Sequence, residues 1–169
     1  MPVITSSGDG IAVIRLQNPP VNALSIGAGL VRDLNAAVSA ALAGQSIHAI
    51  IIAGDGKYFC AGADIHDFDG DPAALDMLRA TFNTLEEARK PIVMAMHGLA
   101  LGGGLELAMA GHYRVATSDC RFGLPEVTLG ILPGGGGTQR LPRLAGMPDA
   151  IGMMLTGKPI GAEKALALG

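Results

Sequence analysis

The sequence contains no tryptophan, and aromatic residues of all kinds make up 4% of it. A core must therefore be filled by Ala, Leu, Ile, Val and Met. Charge is scarce as well, at 16% against 49% hydrophobic residues. Much of the chain must be buried, and 169 residues suffice for one domain with a sizeable core. There is no basic stripe. The net charge is −3, and Arg140 with Arg143 is the one local basic cluster, which speaks against a nucleic-acid partner. Cys60 and Cys120 are the only cysteines. They have no C-x-x-C or Cys/His ligand spacing, which predicts two buried reduced thiols and an intracellular, reducing location. His48, His66, His97 and His112 show no metal spacing. The opening MPVITSSGDG lacks the positive and apolar regions of a signal peptide. There is no G-x-S-x-G and no complete G-x-G-x-x-G, and Gly134–Gly137 with Thr138 lacks the lysine of a phosphate loop.

What is plentiful is glycine. The 25 glycines sit in short clusters rather than in a period, which predicts loops where backbone comes close to backbone or ligand. The stretch from Ile92 to Gly111, IVMAMHGLALGGGLELAMAG, is almost wholly apolar, with Glu106 just after Gly102, Gly103 and Gly104. It is long enough for a membrane span. The glycines, Glu106 and His97 predict instead a core strand followed by a helix, and no span. A helix starting at the glycines aims its free N–H groups at whatever lies there, one turn before a carboxylate. That placement is expected to lower the pKa of Glu106.

In chain order, Val3–Thr5 and Ile11–Leu16 flank Gly8-Asp9-Gly10 and predict a hairpin. Asn18-Pro19-Pro20 breaks the second strand. Ser25 is placed to cap a helix running to about Ala43, with Leu30, Leu34, Ala37, Val38 and Ala41 on its apolar face and Gly44 at its end. Ile47–Ala53 is a buried strand, and Phe59 to Asp64 a loop of small residues. A helix from Asp71-Pro72 to about Arg89 is stopped by Lys90-Pro91. Strands at Ile92–Met96, Tyr113–Ala116 and Arg121–Leu124 alternate with helices at Gly103–Ala110, Thr138–Ala145, Asp149–Thr156 and Ala162–Leu168. Pro125 to Gly137 reads mostly as loop. The class is α/β with largely parallel pairing. The last helix stops at Gly169 with no further layer to cover it, which predicts a longer parent chain.

A second acid, Glu126, lies among Leu124, Pro125 and Val127, an apolar setting that raises its pKa. Two carboxylates pushed apart in this way make an acid/base pair. The alternative is structural, with Glu106 capping its own helix and Glu126 pairing with an arginine such as Arg140. The small-residue turn Ala61-Gly62-Ala63-Asp64 can aim a backbone N–H at a ligand oxygen. If Ala63 and Gly103 lie side by side, two N–H groups converge as an oxyanion hole. The alternative there is a tight turn with Asp64 as a helix cap.

Together, NPPVNAL at 18–24, Phe59–Asp64, His97–Leu107 and the run FGLPEVTLGILPGGGGTQRLPRL resemble the enoyl-CoA hydratase/isomerase (crotonase) superfamily. NPPVNALS with GLPEVTLG is most similar to the N-terminal hydratase part of bifunctional enoyl-CoA hydratase/3-hydroxyacyl-CoA dehydrogenases. The resemblance implies a spiral of ββα turns in two roughly perpendicular sheets over residues 1–169, and an acyl-CoA thioester substrate. It implies catalytic roles for Glu106 and Glu126 and an oxyanion hole at Ala63 and Gly103. It also implies substrate contacts from Ala61, Gly62, Asp64, Ile65, His66, Gly102 and Gly104. No metal or redox cofactor is implied, because CoA arrives with the substrate. Further C-terminal helices are expected to follow. The expected assembly is a homotrimer, or a monomer in a bifunctional parent, in the cytoplasm of a bacterium or the peroxisome of a eukaryote.

Overall fold

The computed structural model describes residues 2–64, 67 and 72–169. Strand β1 (Val3–Gly8) and strand β2 (Ile11–Leu16) pair antiparallel, with Gly8 opposite Ile11. Asp9 and Gly10 both have positive φ, 51° and 78°, as a two-residue hairpin turn of this hand requires. From β2 onward the pairing turns parallel, through β3 (Ala49–Gly54), β5 (Ile92–Met96) and β7 (Tyr113–Ala116). These strands form a five-stranded sheet in the order β1-β2-β3-β5-β7. A second sheet holds β4 (Cys60–Ala61), β6 (Leu99–Leu101), β8 (Arg121–Gly123) and β9 (Ile160–Gly161).

The order along the chain makes this a spiral. After β3 and again after β5 the chain lays a short strand in the second sheet and then turns into a helix. Thus β3 and β4 lead to α2 (Pro72–Glu86), and β5 and β6 lead to α3 (Gly103–Ala110). Each of these turns adds one parallel strand to both sheets. Strand β4 falls where a loop is expected, and β6 where no element is. At two and three residues they are too short to show a period of two, and only their pairing reveals them.

The helix expected to start at Ser25 begins at Leu30 as α1 (Leu30–Ala43), after Gly29 at φ 80°. Ser25 is fully buried in the preceding loop and accepts from Asn18 Nδ2 at 3.4 Å, so it caps nothing. Asp67 instead takes the Ile26 and Gly27 N–H groups, at 2.5 and 3.1 Å. The predicted apolar face is otherwise right, with Leu30, Leu34, Val38 and Ala41 buried and Ala37 packed against them. Helix α2 ends at Glu86, short of Arg89, where an Ala88 N–H to Leu85 carbonyl bond tightens its last turn. Its expected start at Asp71 lies outside the described residues.

Helix α3 is buried at every one of its positions, as befits a helix apolar but for Glu106. Its apolar residues share one core cluster with Cys60, Phe82, Met94 and Leu124, all fully buried. Beyond it come α4 (Gly137–Ala145), α5 (Met147–Thr156) and α6 (Ala162–Leu168). Between β8 and α4, Pro125–Leu129 forms a 3-10 turn where loop is expected. Among the described residues no helix is long and apolar enough to cross a membrane.

Candidate active site

Sheet register brings the first two parts together. Ala61 on β4 lies opposite Leu101 on β6, so two residues further along each chain Ala63 and Gly103 meet. A methyl group at Gly103 would lie 3.3 Å from the Ala63 nitrogen. Ala63 sits in a parallel bridge with Leu24, made by Leu24 N–H to the Gly62 carbonyl (2.9 Å) and Asp64 N–H to the Leu24 carbonyl (3.0 Å). In such a bridge the central residue's own N–H faces the other way, toward α3. Gly103 is the first residue of α3, whose N–H has no intrahelical acceptor.

The glycine triplet is required by contacts. Gly102 turns the chain at φ 52°, and a side chain at Gly104 would place Cβ 2.2 Å from the Cys60 carbonyl. The Gly102 N–H is held by the Gly123 carbonyl at 2.8 Å. Ala61 donates its N–H to the Val21 carbonyl at 2.9 Å. Ile65 and His66 lie outside the described residues. Burial pushes the Cys60 thiol up to about 12, so it stays protonated and inert.

Glu106 is 2% exposed and does not cap its own helix. Its two oxygens accept backbone N–H groups from the glycine loop, Gly135 to Oε2 at 2.9 Å and Gly137 to Oε1 at 2.7 Å. Its pKa is raised, against the expected direction. Burial is the largest cause. The two N–H donors and the charges of Arg140 and Arg79 oppose it. A helix terminus stabilises an anion by only about 0.3–1 kcal/mol, too little to offset the loss of hydration.

Glu126 is 8% exposed, on the 3-10 turn, and its Oε2 is buried with no hydrogen-bond partner among the described residues. Its Oε1 lies 3.1 Å from where a Cβ on Gly102 would stand, so it faces the same glycine corner. Burial, with the charge of Glu106 as a lesser cause, lifts its pKa to about 7. It does not pair with Arg140. That arginine binds Glu86 Oε2 at 2.6 Å instead. Among the described residues no group of three His, Cys, Asp or Glu could hold a metal ion.

Sequence reasoning missed the glycine loop's part. Gly134–Gly137 lacks the lysine of a phosphate loop, yet its Gly135 and Gly137 amides hold Glu106. The clustering of glycine was the signal, since side chains at Gly135 or Gly137 would press within 2.7 or 2.9 Å of the Glu106 oxygens.

The family model for enoyl-CoA hydratase/isomerase matches residues 6–169. The peroxisomal bifunctional enzyme of Danio rerio is 47% identical over 159 residues, covering 94% of this chain and 22% of its own length. The probable enoyl-CoA hydratase of Bacillus subtilis is 43% identical over 165 residues, 94% of this chain and 63% of its own. The chain thus spans about a fifth of the bifunctional relatives it matches. An enoyl-CoA hydratase structure from Bacillus anthracis superposes with a TM-score of 0.93 at 34% identity, over 100% of this chain and 68% of that one. These matches, with the ββα spiral, show that the chain belongs to the enoyl-CoA hydratase/isomerase family.

Proposed function

We propose that the protein hydrates 2-enoyl-CoA thioesters to 3-hydroxyacyl-CoA, as a step of fatty-acid β-oxidation. One observation carries this reading: two buried carboxylates, differently supported, beside the glycine corner where Gly103 and the Ala63 nitrogen lie together. In the reaction, water adds across the double bond, its oxygen to the β-carbon and a proton to the α-carbon. Negative charge develops on the thioester oxygen, and the Ala63 and Gly103 N–H groups are placed to stabilise it. Losing one such donor typically costs about 3–4 kcal/mol. Glu106, fixed by the Gly135 and Gly137 amides, takes the proton from water. Glu126, with an unpartnered oxygen and a pKa near 7, gives a proton to the α-carbon. Coenzyme A enters as part of the substrate, with Ala61, Gly62 and Asp64 along its path. In a eukaryote the peroxisome is the expected compartment.

A second activity follows from Glu126 alone. An acid that titrates near neutrality can shuttle a proton along the acyl chain, converting 3-enoyl to 2-enoyl-CoA. Turnover of the two substrates by the full-length protein tests both readings. Hydration of 2-enoyl-CoA lost in both Glu106→Gln and Glu126→Gln supports the pair. Near-normal hydration in both variants sinks it, and tight CoA binding with no turnover points to a non-catalytic binder.

A further inference from the structure

The loop that holds Glu106 is four consecutive glycines, Gly134–Gly137, the least ordered backbone the code can specify. Something must fix it if its amides are to stay on the carboxylate. Two arginines grip it from outside. Arg140 Nη1 donates to the Gly135 carbonyl at 2.9 Å, and Arg79 Nε donates to the Gly134 carbonyl at 2.7 Å. The Arg140 side chain is nine-tenths buried, and its fork is anchored in turn on α2. Nε and Nη2 bind Glu86 Oε2 at 3.1 and 2.6 Å, and Nη2 also binds Asn83 Oδ1 at 3.0 Å. The peptide joining Gly134 to Gly135 is thus held at both ends, its carbonyl by Arg79 and its N–H by Glu106, and the next peptide is held at the Gly135 carbonyl by Arg140.

We infer that Arg140 is a positioning residue, whose guanidinium, braced by Glu86 and Asn83, sets the glycine loop and through it the Glu106 carboxylate. This deepens the reading of Glu106 as a working acid/base group and rests on it. Planarity is central, because one flat cation must reach a backbone carbonyl and two side chains on another helix at once. A lysine keeps the charge and loses the fork. The charged groups that act on Glu106 are Arg140 on α4, Arg79 on α2 and Glu126 on the 3-10 turn. Removing Arg140 removes a cation that favours the Glu106 carboxylate.

The test uses the full-length protein with Arg140→Gln and Arg140→Lys. Both are expected to speed amide exchange at Gly135 and Gly137 by about tenfold or more, as local protection is lost. Both are expected to lower kcat on 2-enoyl-CoA on the order of 100-fold with little change in KM. The acid limb of the kcat/KM profile is expected to move to higher pH in Arg140→Gln and to stay near its wild-type position in Arg140→Lys. Unchanged exchange at both glycines overturns the inference whatever the turnover. If Arg140→Gln does not fold, Glu86→Ala with Asn83→Ala frees the fork from α2, and the same exchange readout decides. Amide exchange does not depend on what the protein catalyses, so failure of the hydratase reading shows separately, in the Glu106→Gln and Glu126→Gln variants.

Discussion

Glu106 and Glu126 are two buried acids with opposite kinds of support. Glu106 sits on a helix buried at every position, under backbone that approaches to van der Waals contact, and both its oxygens take amide hydrogens. Glu126 sits on a single 3-10 turn, followed by the exposed Val127 and Leu129, and one of its oxygens takes nothing. A carboxylate that is desolvated and fully bonded is fixed in place. One that is desolvated with an oxygen left unbonded is free to take a proton there, since burial then raises its pKa against only its own backbone N–H. On the proposed mechanism, position, more than residue type, divides the work between them.

The largest effect that would sharpen this contrast is catalytic. Glu106→Gln and Glu126→Gln are each expected to lower hydration of 2-enoyl-CoA by about 10²–10⁴-fold, measured as steady-state kcat. A large loss in one variant only would break the pairing. Next comes packing. Gly104→Ala forces a methyl group to within 2.2 Å of the Cys60 carbonyl and is expected to destabilise the fold by about 3 kcal/mol, read from urea unfolding.

A smaller effect has the opposite sign. Glu126 binds its proton more tightly in the folded chain, at about 7 against an ordinary 4.5. The stability linked to this is fully present below about pH 4.5 and is lost as pH rises through 7. Glu126→Gln, which does not ionise, should therefore gain on the order of 2–3 kcal/mol over the native chain at pH 8 and nothing near pH 4. Glu106→Gln relieves a raised pKa as well, but its amide group turns a donor toward a backbone N–H, a cost at every pH, so its net gain at pH 8 should be smaller. An equal net gain in the two variants would dissolve the comparison. The smallest change is Gly130→Ala, at the end of Glu126's turn. It has φ 71° and open space around it, so the expected cost is only the left-handed strain of about 1–2 kcal/mol.

Much of this was legible in the residues because glycine punctuates them. The Gly8-Asp9-Gly10 hairpin and the Gly103–Ala110 helix fall where the sequence puts them. Ser25 misled because a good capping residue is equally at home bonded inside a loop, and here Asn18 takes its hydroxyl. Strands β4 and β6 were too short for any pattern, although their register is what aligns Ala63 with Gly103. The Glu106 shift runs opposite to the expectation because the sequence shows a helix end and does not show how deeply that end is buried. The Arg140 brace joins residues 54 and 57 positions apart, and no local spacing encodes such a contact.

The division of labour can be tested directly by α-proton exchange. A saturated acyl-CoA in D2O has no double bond to hydrate, so washout of its α-hydrogen reports the α-carbon step alone. Glu106→Gln is predicted to keep this exchange while losing hydration, and Glu126→Gln to lose both. Exchange that survives in Glu126→Gln and vanishes in Glu106→Gln would contradict the assignment of the two acids.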